Sequence, residues 1–266
     1  MITSSDNTQL KEIRKLHTKR YRGKTGLFLA EGEDLVIAAL QAGWQPNGIY
    51  CGTGAPPDLV EHAAAHTVED SALASCSTLS QGSRVLAVFA QQWSEPVGNL
   101  CVYLDGASDP GNVGTVIRSA LAFADGPVIL GPNCADPFSP KAVRASMGAI
   151  FARPPARATI SEIAGTHLVL DANAADDLGS LKLSAPLVLC VGSERDGLSE
   201  ASLDAADLRA RIPMQANAPE SINLAMAATV GLYICAGKLN ILQSDMHNSA
   251  QAPSTSGISP SLENKE

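Results

Sequence analysis

Apolar residues at Leu10, Ile13 and Leu16 recur at helical spacing and predict a helix over residues 7–16, with cations on its other face. Gly26-Leu27-Phe28-Leu29-Ala30 is a short apolar run with strand character, and a helix over 33–42 follows, closed by Gly43. Ile49-Tyr50-Cys51 and residues 85–89 predict two more strands, and the alanine-rich 62–65 segment predicts a helix. This is a small α/β unit over residues 1–90. The segment 91–98, with Pro96 and Gly98, breaks the pattern and predicts a linker.

Beyond it, Leu100-Cys101-Val102-Tyr103-Leu104-Asp105 is apolar along nearly its whole length, as a strand covered on both faces must be. Residues 128–130, 167–170 and 187–191 predict further buried strands. Val113, Val116, Ile117, Ala120, Leu121 and Ala124 form an apolar stripe on an intervening helix, with Arg118 near its edge. Strands alternating with helices through residues 99–243 predict an open α/β sheet covered on both faces. The last stretch, 244–266, is rich in Ser, Asn, Gln and Pro, has no periodicity, and predicts a disordered tail.

Composition changes this picture little: of 266 residues 45% are hydrophobic and 17% charged, as in ordinary globular proteins. No apolar run is long enough for a bilayer, and the N-terminus lacks the basic-then-apolar order of a secretory signal. The six cysteines stand singly, without a C-x-x-C pair, so no zinc site or disulfide framework is indicated. These features predict a soluble, reduced, cytoplasmic protein. His62 and His66 have i, i+4 spacing, but no third ligand is evident and no metal is expected. Trp44 and Trp93 read as packing residues.

Charge adds more. The net charge is −8, yet Lys11, Arg14, Lys15, Lys19, Arg20, Arg22 and Lys24 crowd one stretch in which only Glu12 opposes them. Two readings stand: contacts to nucleic-acid phosphates, or a solvated helix face. Lys141 and Arg144 lie on another helical segment and carry the same two readings, with a lean to RNA.

Three loops carry candidate chemistry. The first, Asp105-Gly106-Ala107-Ser108-Asp109-Pro110-Gly111-Asn112, leaves a strand and opens a helix, with Asp109 suited to the cap and Pro110 to the first turn. The second, Gly192-Ser193-Glu194-Arg195-Asp196-Gly197-Leu198, is neither a Walker loop nor a G-x-G-x-x-G fingerprint. The third runs from Ile212-Pro213-Met214 to Glu220-Ser221-Ile222-Asn223, where Ser221 and Asn223 either cap the next helix or face a ligand.

In order, Asp109-Pro110-Gly111-Asn112…Arg118, Gly192-x-Glu194-x-x-Gly197-Leu198 and Ile212-Pro213-Met214…Glu220-Ser221-Ile222-Asn223 resemble the three motifs of the SpoU/TrmH family of RNA ribose 2′-O-methyltransferases, part of the SPOUT superfamily. Ser139-Pro140-Lys141…Arg144-Ala145-Ser146-Met147-Gly148 resembles the segment between the first two. Residues 7–32 resemble the family's RNA substrate-binding domain, similar to a small ribosomal protein. The resemblance covers about residues 5–240. It departs from the family at Ser108, where Gln is common, and at Ile222, where Leu is common.

The resemblance implies an α/β methyltransferase domain tied in a deep trefoil knot, a homodimer formed through that domain, and S-adenosylmethionine as cofactor. It implies that Gly192, Ile212 and Ile222 meet the cofactor through backbone, with Leu198 and Met214 lining the pocket. It implies that Asn112, Arg118, Glu194, Ser221 and Asn223 surround the methyl acceptor. Lys11, Arg14, Lys15, Lys19, Arg20, Arg22, Lys141 and Arg144 would then meet RNA. An arginine is a poor free base at neutral pH, so Arg118 would hold phosphate and developing oxyanion charge with its planar fork. The expected substrate is large-subunit rRNA, with tRNA as the alternative. Competing readings are a non-catalytic RNA-binding protein on this fold, a base methyltransferase of the wider superfamily, and, more distantly, a nucleotide-dependent oxidoreductase.

Overall fold

The computed structural model of the chain describes residues 1–215, 217 and 221–243. The reading of 244–266 as a tail lies outside the described residues, as does Glu220.

Two helices lead in, α1 (Thr8–Lys15) and α2 (Lys19–Thr25), capped by the side chains of Asn7 and Thr18. Then come β1 (Leu27–Glu31), α3 (Glu33–Gln41), β2 (Pro46–Cys51), α4 (Pro57–Val60), β3 (Ala65–Thr67), α5 (Asp70–Ala74) and β4 (Val85–Ala90). The four strands form one sheet in the order β1-β4-β2-β3, with β4 antiparallel to both its neighbours. α3 ends where the sequence predicts, with Gly43 taking φ +83°, a conformation that favours glycine. The predicted helix over 62–65 does not form. The Nδ1 of His62 accepts the Ala64 amide in a turn, and the chain then extends as β3 along β2. Tertiary pairing overrides the helix propensity of alanine here. His62 and His66 therefore share no helix face; the His66 ring stacks on Tyr50 instead.

The second sheet starts with β5 (Leu100–Asp105), followed by α6 (Pro110–Phe123), β6 (Val128–Leu130), α7 (Pro140–Ser146), α8 (Ala149–Ala152) and β7 (Ala156–Arg157). It continues with β8 (Thr166–Leu170), β9 (Leu187–Gly192), α9 (Glu200–Asp204), β10 (Leu208–Ala210) and α10 (Leu224–Lys238). All six strands are parallel, in the order β10-β8-β9-β5-β6-β7. The central pair is in register from Leu100 opposite Leu187 to Asp105 opposite Gly192, so the first two motif loops leave the sheet side by side. Alternate residues of β5 face two cores. Leu100, Val102 and Leu104 point into one, Cys101 and Tyr103 into the other. Burial pushes the thiols of Cys101 and Cys190 up to about 11 and about 12, so both act as small apolar side chains.

The larger core is shared by both sheets. Phe28, Trp44 and Phe89 of the first unit meet Phe138 and Phe151 of the second, with Phe28–Phe138 ring centres 4.8 Å apart and Trp44–Phe151 centres 5.2 Å apart. The indole of Trp44 donates to the Phe151 carbonyl at 2.9 Å. Two ion pairs cross the same seam. Arg22, only 3% exposed, binds Asp136 at 2.8 Å and the Leu16 carbonyl at 2.6 Å. The buried carboxylate of Glu31 takes Arg144 at 2.8 Å, together with both hydroxyls and the Thr78 amide of the Ser77-Thr78 turn.

Candidate active site at the carboxyl edge of the parallel sheet

α6 begins as predicted. Asp109 accepts the Asn112 amide at 3.0 Å, and Pro110 fills the first turn. Lys141 of α7 binds the other oxygen of Asp109 at 2.6 Å. That ammonium, helped by the backbone amides of Gly111 and Asn112, holds the Asp109 carboxyl below its ordinary range. The cap fixes Asn112 on the first turn of α6, facing the loop after β9.

That loop is a tight hairpin. Ser193 and Gly197 exchange backbone hydrogen bonds at 2.8 and 3.1 Å, and Gly197 adopts φ +69°. A Cβ on Gly192 would lie 2.3 Å from the Gly197 carbonyl carbon, so the crossing admits glycine only. The loop's far end is pinned by Asp105, 7% exposed, whose Oδ2 accepts the Ser199 amide and the hydroxyls of Ser199 and Ser202 at 2.7–2.8 Å. The sequence places Asp105 where a strand ends and the first loop begins, but its pairing with a serine 94 residues away leaves no local signal.

The two loops and the start of α10 converge on one hydrogen-bonded set. The Asn112 amide donates to the Glu194 carboxylate, across 82 residues. The Asn223 amide donates to the Asn112 carbonyl oxygen at 3.1 Å, across 111 residues. Asn223 also caps α10, its Oδ1 accepting the amides of Ala225 and Met226. The cap reading of Asn223 is realised, and the same side chain also meets Asn112. A cavity of about 610 Å³ opens here, lined by Ser108, Asp109, Asn112, Glu194, Arg195 and Asn223.

The other predicted residues are placed less centrally. Arg118 is exposed, six residues along α6 from Asn112 and about 9 Å along the helix axis, and does not line the cavity. Ser221 is exposed just before Asn223. Gly192 ends β9, Ile212 and Met214 lie just past the carboxyl end of β10, and Ile222 lies just before α10. Met214 is 41% exposed and Ile212 and Ile222 are half-buried. Leu198 packs instead against the smaller core around Tyr103.

The cations divide. Lys11, Lys15, Lys141 and Arg144 carry acidic partners, and Arg14 is bonded to Ser75 and the Ser5 carbonyl. Arg22 is buried and spent on Asp136, which corrects its reading as an RNA contact: a side chain so enclosed presents no charge to a phosphate. Arg144 likewise spends its charge on Glu31 at the seam. Lys19 and Arg20 stand exposed without an acidic partner among the described residues.

Residues 99–233 match the family model of the SpoU rRNA methylases, and residues 7–87 match an MRM3-like substrate-binding domain. The chain is 30% identical over 242 residues to the 23S rRNA (guanosine(2553)-2′-O)-methyltransferase RlmP of Bacillus subtilis, covering 87% of this chain and 97% of that one. A 23S rRNA (uridine(2479)-2′-O)-methyltransferase of Streptomyces viridochromogenes is 35% identical over 147 residues, half of each chain. The crystal structure of an AdoMet-bound rRNA methyltransferase from Sinorhizobium meliloti superposes with a TM-score of 0.78 at 32% identity, covering 88% of this chain and 96% of that one. With its motif loops at one sheet edge and the Bacillus and Sinorhizobium relatives matching nearly end to end, the chain belongs to the SpoU rRNA methylase family.

Proposed function

We propose that this protein transfers a methyl group from S-adenosylmethionine to a ribose 2′-hydroxyl of large-subunit rRNA. The observation that carries the reading is the Asn112–Glu194–Asn223 hydrogen-bonded set, drawn from three distant loops into one open cavity. The residues fit the cofactor: exposed Met214 and half-buried Ile212 and Ile222 offer apolar surface on the same sheet edge as the polar set. S-adenosylmethionine supplies an electrophilic methyl. Gly192 and Ile212, at the carboxyl ends of β9 and β10, would hold it, in the trefoil knot that the family resemblance implies.

The chain's own task is orientation. A ribose hydroxyl is a weak nucleophile and loses its proton as it attacks, so alignment supplies much of the rate. Asn112, Glu194 and Asn223 already hold one another, and such a preorganised set fixes the ribose with little reordering. Ser221 stands at the same loop end as a further donor. Arg118 grips the neighbouring phosphate and the developing oxyanion through its planar fork.

Arg118 reaches a methyl acceptor if a second copy docks beside it. α6 and α10 present a shared apolar face: Leu121, Met226, Val230 and Tyr233 are 38–63% exposed, and the Tyr233 ring sits edge-on to Phe123. On α10 these residues recur at i, i+4 and i+7, and Arg118 borders the α6 part. Such a contiguous patch marks a partner surface, and a self-complementary pair is the commonest closed solution. We therefore read the enzyme as a homodimer through α6 and α10, with Arg118 serving a site shaped by both copies. None of the helices among the described residues is long and apolar enough to cross a membrane, and a ribosomal substrate would place the work in the cytoplasm.

The test is transfer of labelled methyl to rRNA and tRNA lacking the modification, followed by nuclease digestion. Label on a ribose 2′-oxygen of large-subunit rRNA is the expected result; label on a base, or only on tRNA, overturns the substrate assignment. Arg118→Lys keeps the charge but loses the fork, and its turnover is expected to fall at least tenfold. Tyr233→Glu is expected to give a monomer in sedimentation and to lose activity with it; a monomeric, fully active variant would refute the shared site.

A further inference from the structure

The carboxyl edge that carries the proposed active site extends beyond it. β6 lies next to β5 in the sheet and β7 next to β6, so the end of β7 is about 10 Å from the end of β5. There a second cavity of about 610 Å³ opens between the two units. The loop after β6 forms its floor, Arg157 at the end of β7 one wall, and Lys19 at the start of α2 the other.

These two cations differ from most others in the chain. Both are exposed, and neither makes an ion pair or a hydrogen bond among the described residues. The guanidinium carbon of Arg157 sits over the Trp93 ring, 4.3 Å from its centre, and Trp93 itself is braced edge-on against Phe138 of the shared core. The cavity's acidic groups are Asp136 and Glu162. Asp136 is neutralised by the buried Arg22, and Glu162 is committed to the amide and hydroxyl of Thr159. Two cations without ion pairs among the described residues, from different units, thus line one space of nucleotide size, with the Trp93 ring under one of them.

We propose that this inter-unit cavity holds one unpaired nucleotide of the substrate RNA near the methylated one, its phosphate between Lys19 and Arg157 and its base against the Arg157–Trp93 stack. A guanidinium over an indole is a flat cationic surface suited to an unpaired base, and phosphate supplies the counter-charge that both side chains lack. The site would set the strand's register along the edge that leads to Asn112. It rests on the reading of the protein as an RNA methyltransferase.

The experiment compares full-length wild type with Lys19→Ala, Arg157→Ala and the double variant. It uses rRNA lacking the modification, at several salt concentrations. Lys182→Ala is the control, an exposed cation just before β9, at the opposite sheet edge. Each single variant is expected to raise KM for RNA about tenfold with little change in kcat. Each should also reduce the slope of log binding constant against log salt by about 0.7–0.9. Melting temperature and S-adenosylmethionine binding should stay at wild-type values, and Lys182→Ala should match wild type throughout. Arg157→Lys should keep the salt slope yet recover only part of the KM. Wild-type KM and slope in both single variants, with wild type active, would overturn this site alone. A wild type that neither binds nor methylates rRNA would overturn the enzyme reading together with it.

Discussion

Glu31 shows how far a residue's role depends on partners the sequence does not reveal. Its carboxylate is almost wholly enclosed, and it is tolerable there only because Arg144, Ser77 and Thr78 surround it with donors. Arg144→Ala would leave that charge short of its main partner. We expect a loss of roughly 2–3 kcal/mol in unfolding free energy by denaturant titration, and Glu31→Gln/Arg144→Ala should recover part of it. If Arg144→Ala were neutral, the pair would not be holding the seam. The contrast with the proposed site is instructive. Asn112, Glu194 and Asn223 enter as site candidates through the family resemblance of their three motifs, whose glycines, prolines and caps mark where strands give way to helices. Arg22 and Arg144 look in sequence like any other surface cations. Their partners, Asp136 and Glu31, lie 114 and 113 residues away, and nothing local distinguishes a buried guanidinium from a solvated one.

At the scale of elements, α6 and α7 cross so closely that glycine is required where they touch. A Cβ on Gly114 would stand 2.2 Å from the Ala142 carbonyl oxygen and 2.7 Å from the Ala145 Cβ. Gly114→Ala must push the helices apart, at a cost of about 1–3 kcal/mol, seen as a lower melting temperature. Because α7 also holds Asp109 through Lys141, the same variant should lower kcat; an unchanged kcat would show that α7 does not position the cap of α6. α1, α3, α6 and the longer strands were readable from periodicity, since one continuous apolar stripe or run defines each, whereas short helices such as α4, α5, α8 and α9 carry too few turns to show a stripe. β7 and β10, of two and three residues, were not: unlike the equally short but wholly apolar β6, they are Ala-Arg and Leu-Arg-Ala, with no apolar run to mark them. The 62–65 segment failed for another reason: its alanines favour helix, but pairing with β2 decides the outcome.

Across the whole molecule, the sheets are distinct in topology but not in their interior. The cluster that holds Phe28, Trp44 and Phe89 also holds Phe138, Phe151 and the central strands of the parallel sheet. We expect heat unfolding to proceed in one cooperative transition, with calorimetric and van't Hoff enthalpies agreeing at a given protein concentration. Two separated transitions would show that the aromatic seam does not couple the units. The break in pattern at 91–98 was visible in the sequence, but the seam was not, because its members come from five different elements and loops.

That seam limits how the protein can be recombined. A chimera cut at 91–98, joining this chain's first unit to a relative's second, would seem to exchange target recognition while keeping the chemistry. It would instead bring Phe28, Trp44 and Phe89 against a surface not shaped for them, and leave Arg22 and Glu31 facing strangers. Altered RNA choice in this scaffold should therefore arise by substitutions on the outer face of α2 and along the sheet edge. A working graft would have to carry Asp136, Phe138, Arg144 and Phe151 along with the first ninety residues.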